Sequence, residues 1–305
     1  MDPSGHLSAD CPAPIVELVG DAVMVAGSSA HNLAVGDADG GGVPVGVAGS
    51  RDARADRWIN ARWISDRWIV DRWDSPDAAA VAAVNQSALA THLGGPTVAI
   101  SIMADGAGGP DSAASGPASW VALERSGSWP GNMVEHHPEP AALAAGLGRS
   151  LHALHHLDPT TVSADLKLCH GEGWEGVAQQ VESRLDANNF EPRELREPYR
   201  RYGPEQLWEM FRGARPQQED LVINHGQFLP SNVLVSGGET GGLLGLSSMR
   251  LADRHFDLAR MHLAIHELLG GEAVFAFYDA YGSEPNLIAI DHYIFAHTLL
   301  VQEAR

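Results

Sequence analysis

Residues 221–235 read LVINHGQFLPSNVLV. Two runs of apolar and β-branched residues flank a short segment that carries Gly226 and Pro230. That pattern predicts a strand, a tight loop and a second strand. The following stretch, GGLLGLSSMRLADRHFDLARMHLAIHELLG, reads as a strand running into a helix. This frame of strand, loop, strand and helix constrains the fold more than any other part of the chain.

The rest divides into two styles. Residues 15–49 look like short strands with glycine turns: VELVG, DAVMVAG and a hairpin signal at GDADGGG. Residues 75–93 read as a helix, with Ser75 as N-cap, Pro76 in the first turn and Gly94-Gly95 at its end. TVAISIMA and SWVALERS read as strands around a Gly/Ser/Ala-rich turn. From about residue 139 helical spacing takes over, in PEPAALAAGLGRSLHALHHLD, WEGVAQQVESRLDANNF, GPEQLWEMFRGA, EAVFAFYDAYG and LIAIDHYIFAHTLLVQEA. The expected architecture is α+β: a small strand-rich lobe over residues 1–127 and a larger helical lobe over 128–305.

Composition bounds the function. With 44% hydrophobic residues in 305, the chain has enough apolar side chains for a core in each lobe. No run of about 18 apolar residues occurs, so no membrane span is expected. The N-terminal MDPSGHLSADCPAP is acidic and lacks an apolar leader segment, so a cytoplasmic location is expected. A formal net charge of -19 argues against nucleic-acid binding and suits solubility, or attraction of a cationic small molecule. Cys11 and Cys169 form no framework or metal pattern, and Lys167 is the one lysine.

The segments LHHLDP (154–159), EDLVINHGQFLPSNVLV (219–235), ADRHFDLA (252–259) and FYDAYG (277–282) resemble the aminoglycoside phosphotransferase family. The resemblance implies a two-lobed protein-kinase-like fold, with Asp257 tying down the loop and Arg250, Asp253 and Arg254 forming a local ion-pair frame. It also implies where phosphoryl-transfer groups should stand, because that chemistry rests on positioned charges. The catalytic acid position holds Gln227, which carries no charge. The metal acid falls at Ser247 or Ser248, poor anchors for Mg²⁺. The third-strand lysine falls near Gly46, and residues 1–150 contain no lysine. The helix at 75–93 has no Glu. Asn232 alone of these elements is kept, so the expected site holds no metal and no cofactor.

Other features carry two readings each. RWINARWISDRWIVDRW (57–73) places Trp58, Trp63, Trp68 and Trp73 five apart, as a protein-partner surface or as a helix or hairpin packed on the small lobe. His152, His155 and His156 have metal-ligand spacing, but His155 matches the family frame as a structural residue. His136-His137 is expected in an exposed turn. Ser28, Ser29 and His31 occupy the place of a nucleotide-covering loop and could contact an anionic group. Asp158, Asp165 and Glu267 lie where the family gathers acids for a cationic substrate, or belong to a solvated acidic face.

The leading expectation is a member of this fold that is not a kinase and works on a small molecule. Gln227, Asn232, Ser247 and Arg250 would hold an anionic leaving group that the substrate itself carries, sulfate or phosphate, in a displacement or elimination. The alternatives are a non-catalytic pseudokinase with a docked partner, and an active antibiotic phosphotransferase with relocated acids.

Overall fold

The computed structural model describes residues 12–19, 25–27, 59–65, 67–73, 75–103, 119–125, 127–168, 171–186, 190, 195 and 197–300. The smaller lobe is a five-stranded antiparallel sheet of β1 (Val25–Gly27), β2 (Ile59–Ile64), β3 (Trp68–Trp73), β4 (Thr97–Met103) and β5 (Ser119–Glu124), in the order β1-β2-β3-β5-β4. Helix α2 (Pro76–Leu93) runs between β3 and β4. Its start follows the expected chemistry: the Ser75 hydroxyl accepts from the Ala78 N–H at 3.2 Å, and Pro76 occupies the first turn.

Two expectations for this lobe are corrected. VELVG is not a strand, because Ala13–Val19 forms helix α1. A short apolar run fits either period, and Pro14 in the first turn favours the helix. The Arg/Trp repeat is the β2–β3 hairpin, with Trp63 paired to Val70. Trp68 and Trp73 are 6% and 2% exposed, so neither offers a partner surface. Residues five apart on a strand face opposite ways, yet both faces of β3 are covered. Trp58, the GDADGGG turn and the Gly46 segment lie outside the described residues.

The larger lobe carries α3 (Pro140–His155), α4 (Pro159–Val162), α5 (Gly173–Leu185), α6 (Pro204–Gly213), α7 (His255–Leu269), α8 (Gly271–Tyr281) and α9 (Leu287–Leu300). Two small sheets sit among them. One is β6 (Trp129–Pro130), β8 (Val233–Ser236) and β9 (Glu239–Leu243); the other pairs β7 (Leu221–Asn224) with β10 (Arg250–Asp253). The core centres on Leu147, Leu151, Phe211, Phe228, Phe277 and Tyr293. Gly148 explains the close packing of α3 on α8: a side chain there would collide with the Phe277 carbonyl oxygen.

The lobes share apolar contacts. Trp73, Ala78 and Ala79 of the small lobe cluster with Leu234 and Leu244 of the large one. The described protein is therefore the two-lobed α+β architecture expected. No helix among the described residues is long and apolar enough to cross a membrane. Trp73→Ala should cost about 3–5 kcal/mol in urea unfolding, because it opens a large cavity where the lobes meet.

Candidate functional site

The loop after β7 is held from behind. Asp257, in the first turn of α7, accepts the His225 N–H at 2.6 Å and the Gly226 N–H at 3.0 Å. Burial acts to raise its carboxyl, but the adjoining His155 and His225, with the His225 N–H bond, hold it below the usual range. His155 Nε2 lies 3.6 Å from Asp257, and its Nδ1 lies 2.9 Å from the Tyr281 hydroxyl. Gly226 has φ +83°, and any side chain there would strike the Ser248 carbonyl oxygen. His225 donates from Nε2 to the Leu244 carbonyl at 2.8 Å, while Nδ1 accepts the Gln227 N–H at 3.2 Å. That tautomer is neutral, and burial lowers the His225 pKa accordingly.

At the mouth of the loop the polar contents form one connected set. Gln227 Nε2 donates to the Ser248 hydroxyl at 3.3 Å. Asn232 Nδ2 donates to the Gln227 carbonyl at 3.1 Å. Asn232 Oδ1 accepts from Arg62 Nη1 at 3.2 Å, and the same nitrogen donates to the Ser231 carbonyl at 2.8 Å. The other edge of that guanidinium grips both oxygens of Asp71, at 2.6 and 2.9 Å. Arg62 and Asp71 are 3% and 1% exposed. The small lobe has no lysine, but β2 supplies a buried cation at the loop, Arg62, and Asp71 of β3 holds it.

Helix α2 reaches the same region with amides. Asn85 Nδ2 donates to the Leu246 carbonyl at 2.7 Å and the Lys167 carbonyl at 3.1 Å. Gln86 Nε2 donates to the carbonyls of Leu243 and Pro96 at 3.0 and 3.1 Å. These bonds tie α2 to the backbone entering Ser247-Ser248.

Arg250 is fully buried on β10, its guanidinium 4.8 Å from the centre of the Phe256 ring. Nη1 donates to Gln180 Oε1 of α5 at 3.2 Å, and Nε is 3.5 Å from the Ser248 carbonyl. Of the expected frame of Arg250, Asp253 and Arg254, the last two both engage Asp220, and Arg250 stands apart. Arg254 pairs with the Asp220 carboxylate at 2.6 Å, and the Asp253 carboxylate accepts the Asp220 N–H at 3.3 Å while also lying 2.6 Å from His255. Ser247 is half-buried beside Ser248.

The remaining candidates sit elsewhere. Asp158 caps α4, accepting from Thr160 and Thr161, and those bonds lower its pKa. Asp165 is exposed, 3.4 Å from His92, and Glu267 is exposed near the end of α7. Ser28, Ser29 and His31 lie outside the described residues. His152 and His156 hydrogen-bond to the carbonyls of Tyr281 and His152, so with His155 they act as packing groups. Among His136-His137, His137 is buried against Pro130, contrary to an exposed turn, because its Nε2 reaches the Pro130 carbonyl.

Sequence reading missed Arg62, Asp71, Asn85, Gln86 and Gln180. The available signal was a polar residue inside an apolar element: Arg62 in INARWI, Asp71 in WIVDRW, and Asn85-Gln86 within an alanine-rich helix. Chemically the set offers hydrogen-bond donors and two guanidiniums. Two carboxylates that border it among the described residues, Asp71 and Asp257, are committed to other groups.

The five-stranded sheet, the helix packed on it and the clamped loop define a two-lobed, kinase-like fold. Solved structures agree. Aminoglycoside-3'-phosphotransferase of type VIII matches with a TM-score of 0.61 and 22% identity, over 83% of this chain and 92% of that one. Aminoglycoside phosphotransferase APH(3'')-Id from Streptomyces rimosus, in complex with ADP and streptomycin, gives 0.58 and 18%, over 80% and 92%. A model of the phosphotransferase enzyme family, APH, matches residues 51–291, and the chain belongs to that family. Among curated relatives, an aminoglycoside 3'-phosphotransferase of Enterococcus faecalis is 33% identical over 92 residues, 30% of this chain and 34% of that protein. One of Niallia circulans is 29% identical over 126 residues, 41% and 42%. The matched stretches thus span about two fifths or less of those relatives' lengths.

Removing one partner of the Arg62–Asp71 pair strands a buried charge. Arg62→Ala should cost about 3–5 kcal/mol in chemical denaturation, and Arg62→Met with Asp71→Met should recover most of it. Acid should weaken the fold early. His297 donates from Nε2 to the Phe256 carbonyl at 2.7 Å, and burial pushes its pKa down to about 3. The folded state keeps it neutral while the unfolded chain takes up a proton below about pH 6.5, so stability falls as pH drops through that value. The loss approaches about 1.4 kcal/mol per pH unit for such a histidine. His297→Gln should flatten the pH dependence measured by thermal unfolding between pH 7 and pH 4.

Proposed function

We propose that this chain uses the phosphotransferase scaffold for metal-independent work on a small molecule, and does not transfer phosphoryl groups from ATP·Mg²⁺. The observation that carries the reading is Asn232 Oδ1 accepting a hydrogen bond from Arg62. That oxygen is the one retained metal-binding group of the resemblance, and a guanidinium now lies against it. A divalent ion placed there would meet a positive charge at hydrogen-bond distance, with Gln227 and the Ser247-Ser248 hydroxyls in place of carboxylates.

The same set suits a substrate that brings its own anion. Gln227, Ser247 and Arg250 are donors, and donors stabilise a departing sulfate or phosphate. In the reaction proposed, a carbon–oxygen bond breaks and the anion leaves with the electron pair. A nucleophile within the same substrate forms the new bond and gives up its proton to water.

Two other readings have less support. A pseudokinase docked through the Trp repeat would need Trp68 and Trp73 at the surface, and both are buried. An active phosphotransferase, the activity named for the relatives, would need relocated acids. Among the described residues, Asp71 of the small lobe lies beside the loop through Arg62, and Arg62 neutralises it.

Thermal unfolding with ATP or GTP, with and without Mg²⁺, tests the proposal. The expected result is no Mg²⁺-dependent rise in the melting temperature. A Mg²⁺-dependent rise together with phosphate transfer to any acceptor overturns it.

A further inference from the structure

We infer that Arg250 and Gln180 form a binding site for a small oxyanion, at the seam between β10 and α5. Arg250 is 1% exposed, yet among the described residues no Asp or Glu pairs with it. Its Nη2 is buried without a hydrogen-bond partner. So is the Gln180 Nε2.

These two orphan donors belong together. An arginine only donates, so the contact from Arg250 Nη1 fixes Gln180 with its carbonyl oxygen toward the guanidinium. Nε2 then stands one bond angle from Oε1, and Nη2 one bond angle from Nη1. Both unpartnered N–H groups therefore flank a single contact. An oxyanion, with several lone pairs on adjoining oxygens, is the acceptor that suits such a forked set of donors.

The electrostatics point the same way. A guanidinium taken out of water without a counter-charge is strongly unfavourable, and a bound anion removes that penalty. The Arg250 guanidinium carbon lies over the Phe256 ring, 4.8 Å from its centre, and that ring supplies no counter-charge. Gln180 is half-buried, so part of its side chain reaches solvent along α5, while its Nε2 and the Arg250 Nη2 are themselves closed off. Arg250 also lies against the Ser248 carbonyl, and the Ser248 hydroxyl accepts from Gln227. The ligand class is a phosphate, sulfate or carboxylate group on a small molecule. This rests on the metal-independent reading above and adds α5 to the residues that recognise the substrate.

The test compares melting temperatures in chloride with those in tens-of-millimolar phosphate, sulfate or acetate at equal ionic strength. At least one oxyanion should raise the wild-type value by about 2–4 °C. Gln180→Leu and Arg250→Met should each lose that rise. If Arg250→Met fails to fold, Gln180→Leu decides alone. A wild-type protein indifferent to all three anions, or a rise that survives in Gln180→Leu, overturns the site. Either result leaves the nucleotide measurement untouched. A Mg²⁺-dependent nucleotide effect beside an intact anion effect would remove the metal-independent reading and spare the site.

Discussion

Much of the large lobe turns on one carboxylate. Asp257 is fully buried and accepts two consecutive backbone N–H groups, at His225 and Gly226. A hydrogen bond to a charged group contributes roughly 1.5–3 kcal/mol, and leaving such an acceptor unmatched in the interior costs at least as much. The carboxylate in turn lies against His155, whose other nitrogen meets Tyr281. Helices α3, α7 and α8 thus converge on the backbone of one loop. The clamp grips backbone, not side chains, so it is indifferent to what stands at position 227. This is the physical reason a catalytic-loop frame can outlast a change of its contents.

The residues at the mouth of the loop differ from those the resemblance implies. Where the resemblance calls for carboxylates, the described cleft has an amide at Gln227 and hydroxyls at Ser247 and Ser248. Where it calls for a helix Glu, α2 has Asn85 and Gln86 bonded to backbone carbonyls. Among the described residues, the small-lobe carboxylate Asp71 is matched by Arg62 at both oxygens. Two unit charges at such a separation interact far more strongly in the interior than in water, yet desolvation takes back much of the gain. What the pair adds is geometry: it joins β2 and β3 to the Ser231 and Asn232 end of the loop.

The large lobe was legible in the sequence and the small lobe only partly so. Helices α3, α5, α6, α8 and α9 show apolar spacing over ten residues or more, and α2 carries its Ser75 cap and Pro76. Asp257 could be assigned because its spacing from His225 belongs to a recognisable frame. Short elements defeated the same reasoning. Seven residues, Ala13–Val19, fit a helix or a strand on composition alone. The Arg/Trp repeat hid its own meaning, since its period of five obscures the alternation of a strand. Arg62 and Asp71 sit in different strands, nine positions apart, and only the antiparallel register brings them together. Arg62 to Asn232 is a contact across 170 positions, and no local pattern records it.

The near absence of lysine acquires a structural sense from these contacts. Arg62 serves a carboxylate with one edge and a carbonyl and an amide oxygen with the other. A lysine ammonium is a compact point charge with three donors on a flexible stem, and it cannot meet four oxygens set around a plane. Arg250 lies with its guanidinium carbon over the Phe256 ring and one N–H directed to Gln180. Of these two guanidiniums, Arg62 has its counter-charge in Asp71, and among the described residues no Asp or Glu pairs with Arg250. A cleft built by such residues joins protein to protein at Arg62. At Arg250 the buried Nη2 has no partner, and that is the group the proposed oxyanion would meet.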